Sequence, residues 1–158
     1  MVGKLQDRLH GLHRIYHCCK GASILDLGCS WGYASMMLVL QGATSVVGIE
    51  DDTEACRAAA YLFKDIDCNF KFINSRVELY TKQDKFDIVL ALGIIHHVPI
   101  ALRKDFVRHI FLSANNLVLI RTPKHDYTVP ENFFLFAKSP HDKIGALHIY
   151  VKNLDFVS

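Results

Sequence analysis

No apolar run in this chain is long enough to cross a membrane. The most apolar stretch, residues 88–102, is interrupted by His96, His97 and Pro99. It also falls short of the roughly 20 residues a spanning helix needs. The N-terminus, MVGKLQDRLHGLHRIYHCCKG, lacks the continuous apolar core of a signal peptide. Cys18, Cys19, Cys29, Cys56 and Cys68 are odd in number and form no CxxC pair, which argues against a disulfide framework or a structural zinc site. There is no internal repeat and no low-complexity tract. A cytoplasmic, reducing setting with no membrane partner is the expectation.

Neither sign of charge dominates the 158 residues, whose net charge is +2. The balance is uneven, however. Basic against acidic residues number 4 to 1 over residues 1–20, 6 to 10 over 21–100 and 8 to 5 over 101–158. An acidic middle with basic flanks permits an anionic partner such as RNA without requiring one. With 51% apolar residues, the chain can bury the core of one domain spanning 1–158.

Short apolar runs alternate with helical patterns. Strands are expected at 23–27, 45–50, 69–73, 86–92 and 116–121, with helices at 31–41, 53–63 and 99–109 and a short helical turn at 75–80. Two further strands, 133–137 and 146–151, flank the turn-rich KSPHDKIG and read as an antiparallel hairpin. Repeated strand–helix alternation implies an α/β, doubly wound, mostly parallel sheet with helices on both faces. Ligands of such sheets bind beyond the carboxyl ends of the strands. Asp26, Glu50, Ser75 and Leu92 all fall at or just past those ends.

The loop ILDLGCSWG decides the ligand. A dinucleotide fingerprint needs a second glycine where this chain has Ser30, followed by bulky Trp31. Asp26 on the feeding strand would repel a diphosphate, so a nicotinamide oxidoreductase is disfavoured. A ligand without phosphate, adenosine at one end and a charged amino acid at the other, suits the same residues. Its ammonium group welcomes a carboxylate, Gly28 and Gly32 let backbone approach it, and Glu50 can accept both ribose hydroxyl protons. S-adenosylmethionine, leaving S-adenosylhomocysteine as product, fits that description.

In its order of motifs the chain resembles the class I, Rossmann-like S-adenosylmethionine-dependent methyltransferases. ILDLGCSWG, SVVGIE, NSRVEL and FDIVLALGIIHHV carry the resemblance, which covers nearly the whole chain. It implies a seven-stranded sheet with an antiparallel last strand. It places Asp26, Gly28, Cys29 and Gly32 at the methionine end, with Trp31 either there or in packing. It puts Glu50 at the ribose, Asp51 beside the adenine, Ser75 and Arg76 near the adenine amine, and Ala91 and Leu92 near the methionine group. It also implies that an N-terminal helix over residues 1–20 lids the cleft, with Arg14 or Tyr16 near the methionine carboxylate.

Methyl transfer needs a nucleophile held in line with water excluded, and a base when that nucleophile is a hydroxyl. His96 and His97 follow the fourth strand, where the methyl group should point, and are the candidate bases. LGIIHHVP stands where methylases of DNA-base amines carry Asn/Asp-Pro-Pro-aromatic. No paired acids suggest a magnesium-dependent catechol site, and no Lys-Asp-Lys-Glu set for ribose methylation can be read. His10, His13 and His17 would share a helical face, and a plain polar face explains them without a metal. The acceptor is therefore expected to be RNA, a protein or a small molecule, with a protein partner completing a thin substrate region. The alternative is a non-catalytic subunit that binds cofactor or supports a partner. The aromatic segment YTVPENFFLF is the natural partner or substrate surface.

Overall fold

The computed structural model describes residues 9–140 and 144–157. Seven strands form one sheet: β1 Ser23–Leu27, β2 Ser45–Glu50, β3 Asn69–Asn74, β4 Phe86–Leu92, β5 Ala114–Thr122, β6 Phe134–Lys138 and β7 Ala146–Val151. Their spatial order is β3-β2-β1-β4-β5-β7-β6. β1 to β5 pair in parallel, and β7 pairs antiparallel with both β5 and β6. The chain winds outward from β1 to β3 and then returns to the other side of β1 at β4. That reversal makes a crevice between β1 and β4 at the carboxyl ends.

Helices α1 Tyr33–Val39 and α2 Thr53–Phe63 cover one face, and α3 Ile100–Ser113 covers the other. Met36, Leu38 and Phe63 pack against Ile24, Ile88 and Leu117, with Leu12 and Ile15 beside them. On the second face Phe106, Val107 and Ile110 meet Leu25, Val89 and Val118. β1, β4, β5 and β7 are buried along most of their length because both faces are covered.

Several elements begin or end away from their expected positions, each for a local reason. α1 starts at Tyr33 rather than Trp31, since Ser30 (φ +50°) and Gly32 (φ +77°) are left-handed and break a right-handed helix. α3 continues past His109 to Ser113, because buried Ile110 and Phe111 extend its apolar face. Phe133 precedes β6, its N–H being held by the Pro130 carbonyl in a turn. The N-terminal segment is a 3₁₀ helix over Leu12–Cys18, so His10 lies outside it and the three histidines do not follow an α-helical stripe. Residues 1–8 of the expected lid, and residues 141–143 of the hairpin turn, lie outside the described residues. Among the described residues no helix is long and apolar enough to cross a membrane.

Candidate active site

β1 ends in a tight loop anchored on β2. The Gly28 and Cys29 N–H groups both donate to the Ile49 carbonyl, at 2.8 and 3.1 Å. Gly28 is left-handed, at φ +76°, and a Cβ there would lie 2.9 Å from the Ile94 side chain. The loop thus passes a close neighbour that only glycine permits.

Glu50 closes β2 and ties two loops together. Its carboxylate accepts the Ser30 N–H at 2.8 Å and the Asp52 N–H at 3.1 Å. A carboxylate offers about four lone-pair positions, so two remain for a ligand. Asp52 caps α2 by accepting the Ala55 N–H at 2.9 Å. The Glu50 main-chain carbonyl accepts the Ser75 N–H and the Asn74 amide, which holds the chain leaving β3 against the end of β2.

A cavity of about 260 Å³ opens at these strand ends. From the first two strands it is lined by Gly28, Glu50 and Asp51. From the 3₁₀ turn after β3 come Arg76, Val77 and Glu78, and from the segment after β4 come Ile94, His97 and Val98. Arg76 forms an ion pair with Glu78, whose side chain is largely buried.

Of the residues expected from sequence, Gly28, Glu50, Asp51, Arg76 and His97 line this cavity. The others do not. Asp26 is 2% exposed and accepts the Ser35 hydroxyl at 2.7 Å. Burial raises its carboxyl to about 6, with the Glu50 charge adding to the shift and the Ser35 hydrogen bond opposing it. Cys29 is buried beneath the loop, and burial pushes its thiol well above the ordinary range. Gly32 and Ala91 are buried, Trp31 is 54% exposed, and Ser75 and Leu92 are half-buried. The His96 ring lies 4.1 Å from that of His97 between centroids, tilted by 39°, yet only His97 lines the cavity. Burial, then the neighbouring His97 and Arg103, lower the His96 pKa. Arg103 holds the turn by donating to the His96 and Val98 carbonyls. Arg14 is exposed and Tyr16 packs on the core, and neither lines the cavity.

Glu78, Val77, Ile94 and Val98 were not anticipated. The chain turns back on itself as a 3₁₀ helix at Val77–Leu79, so the acid that reaches the cavity comes three residues after Ser75. An acidic residue inside NSRVEL was the available signal.

The methyltransferase domain family model matches residues 24–114, more than half of the chain. Among curated proteins, 82 residues are 33% identical to the O-antigen chain terminator bifunctional methyltransferase/kinase WbdD of Escherichia coli, covering 48% of this chain and 11% of that protein. A tRNA U34 carboxymethyltransferase of Pseudoalteromonas translucida is 33% identical over 79 residues, covering 49% and 24%. The match thus spans no more than a quarter of either relative. Among solved structures, the 1,6-didemethyltoxoflavin-N1-methyltransferase of Burkholderia thailandensis, with S-adenosylhomocysteine bound, aligns at a TM-score of 0.73 and 17% identity, over 94% of this chain and 80% of that one. The magnesium protoporphyrin IX methyltransferase of Synechocystis aligns at 0.69 and 18%, over 97% and 86%. With its glycine loop, strand-end glutamate and antiparallel last strand in the same order, the chain belongs to the methyltransferase domain family and has the class I S-adenosylmethionine-dependent fold.

Proposed function

We propose that this chain binds S-adenosylmethionine at the β1–β2–β4 strand ends and transfers its methyl group to an acceptor. The observation that carries the reading is Glu50. Its carboxylate is fixed by two backbone N–H groups and keeps lone pairs for two vicinal hydroxyls. The cavity supports it by size: about 260 Å³ is just under the ~300–1,000 Å³ usual for a whole ligand. A nucleoside fills such a space, and the amino-acid end then lies along the Gly28 loop.

When bound, S-adenosylmethionine supplies a methyl group already activated by its sulfonium centre. The chain's own residues bind, orient and exclude water. Glu50 accepts the ribose hydroxyls, Glu78 and Arg76 form the polar wall, and Val77, Ile94 and Val98 supply the apolar one. His97 stands at the rim and takes the proton of a hydroxyl or amine acceptor. Asp26 acts from beneath the loop as a buried carboxylate that favours a cation above it. Cys29, Gly32, Ala91 and Leu92 shape the bed, while Trp31, Ser75 and His96 stay outside it. The acceptor of one relative is a tRNA and that of one structural neighbour is a small heteroaromatic compound, so both classes are screened. Five free thiols suit a reducing, cytoplasmic compartment.

The test is calorimetric titration with S-adenosylmethionine and S-adenosylhomocysteine, wild type beside Glu50→Ala. Micromolar binding lost in the variant supports the reading, and a screen of RNA and hydroxylated aromatic compounds then reads turnover. Binding without turnover favours a non-catalytic cofactor-binding subunit. No binding by the wild type overturns the cofactor assignment.

A further inference from the structure

The chain leaving β5 carries a ring cluster that the cofactor site does not use. His125 Nε2 lies 2.7 Å from the Tyr150 hydroxyl, and the Tyr127 hydroxyl lies 3.0 Å from the same oxygen. The His125 ring contacts Tyr127 at 4.4 Å and His148 at 4.7 Å between centroids. His148 in turn lies parallel to Tyr150, at an interplanar angle of 10°. His125 is exposed and Tyr127 half-buried, whereas His148 and Tyr150 are buried on β7.

Counting hydrogens sets the direction of this chain of bonds. Among the described residues the Tyr127 hydroxyl has one partner, Tyr150, so within the cluster its proton is satisfied by donating there. Burial raises the Tyr127 pKa and keeps that proton in place. The Tyr150 hydroxyl then directs its own proton to His125 Nε2. A neutral imidazole that accepts at Nε2 carries its hydrogen at Nδ1. Nδ1–H has no partner among the described residues, and His125 is on the surface.

Position in the sheet sets how far the cluster lies from the cavity. Ala91 of β4 registers with Ile120 of β5, and Ile120 with His148 of β7. Neighbouring strands lie ~4.8 Å apart, so His148 stands about 10 Å across the sheet from Ala91. Tyr150 packs in the same core as Ala91 and Ile120, and His148, two residues along β7, shares its face. Ala91 leads directly into the segment that supplies Ile94 and His97 to the cavity.

We propose that His125 and Tyr127, backed by the buried His148 ring, form the acceptor wall of the site, and that the acceptor is a planar ring bearing a carbonyl or oxyanion oxygen held by His125 Nδ1–H. The proposal rests on the methyltransferase reading above. The His125 and Tyr127 rings, tilted 46° to each other, give a ring a partly exposed aromatic surface, and a donor whose tautomer is locked by Tyr150 selects an oxygen acceptor. A free phenol and a pyrimidine base in RNA share this chemistry.

Two measurements test it. Long-range proton–nitrogen spectra of 15N-labelled protein report the His125 tautomer: Nδ1–H in the wild type, and a mixture in Tyr150→Phe, which keeps the buried ring. Calorimetry on protein saturated with S-adenosylhomocysteine then uses 3,4-dihydroxybenzoate, uridine and a short oligouridylate as probes. At least one binds, about tenfold more weakly to His125→Ala and several-fold more weakly to Tyr150→Phe, with S-adenosylhomocysteine affinity unchanged. Binding of the phenol alone points to a small-molecule source, and binding of the oligonucleotide alone to RNA. An Nε2–H tautomer, probes that bind the variants as tightly as wild type, or no probe binding to the loaded protein overturns the proposal. Failure of S-adenosylhomocysteine itself to bind counts against the methyltransferase reading, and the tautomer result stands independently of it.

Discussion

The backbone N–H of Ser30 points at the Glu50 carboxylate from 2.8 Å, which joins the first glycine loop to the end of β2. The residue proposed to hold the ribose is therefore also a structural clamp. Glu50→Gln keeps one acceptor oxygen but loses the charge and the other oxygen's two acceptor positions. Hydrogen bonds to charged groups are worth about 1.5–3 kcal/mol each. The S-adenosylhomocysteine Kd is expected to rise roughly 10–100-fold on that scale, read by calorimetry, with a smaller loss of thermal stability.

Gly28→Ala tests the close approach of Ile94. A non-glycine residue at φ +76° costs about 1–2 kcal/mol, and the new Cβ must also displace a side chain 2.9 Å away. Denaturant unfolding should show a loss of that order or more, together with loss of cofactor binding. Adding Ile94→Ala relieves the clash but not the backbone strain, so it recovers only part of the stability. Full recovery would show that packing alone fixes this residue.

Asp26 makes stability depend on pH. Its folded pKa of about 6 lies above the ordinary 3.8, so the native state holds the proton more tightly than the unfolded chain. The stability this group contributes is whole below about pH 4 and is lost as pH rises through about 6. The size is on the order of 2–3 kcal/mol. Asp26→Asn should flatten the stability profile between pH 4 and 6, measured by urea unfolding across that window. An unchanged slope would place the titration elsewhere.

His96 and His97 are adjacent in sequence and in ring contact, yet only the second lines the cavity. His97→Ala is expected to weaken S-adenosylhomocysteine binding several-fold, at about 1 kcal/mol for a lost contact. His96→Ala should leave it within twofold. Equal effects from the two would mean that the turn, held by Arg103, acts as one unit.

Phe134, Leu135 and Phe136 stand exposed on β6, the edge of the sheet. An apolar edge invites pairing with another chain. Leu135→Lys should reduce concentration-dependent light scattering, with a stability change within about 0.5 kcal/mol.

What was legible in the sequence followed from strong local signals. SVVGIE and ALHIYV are dense in β-branched and aromatic residues, and their strands begin and end where the pattern does. The glycine loop and Glu50 could be found because glycine and a strand-end acid leave few alternatives. Turn geometry was not legible in the same way. The 3₁₀ helix that swings Glu78 into the cavity, and the left-handed Ser30 that delays α1, depend on contacts with distant residues. Asp26 shows the limit from the other side: its place on the strand was plain, but its hydroxyl partner Ser35 and its burial come only from packing. The ring cluster was equally hidden, since His125 and Tyr150 are 25 positions apart and only the β5–β7 pairing brings them together.

The strand order carries a consequence for synthesis. β7 is made last but sits between β5 and β6, so β6 has no neighbour to pair with until the whole hairpin can dock. Every residue lining the cavity, by contrast, comes from the stretch between Gly28 and Val98. On the ribosome, where chains emerge N-terminal end first, the cavity has all its lining residues before the ring cluster exists. A nascent chain that has reached β5 holds every residue that lines the cavity and none of the ring cluster.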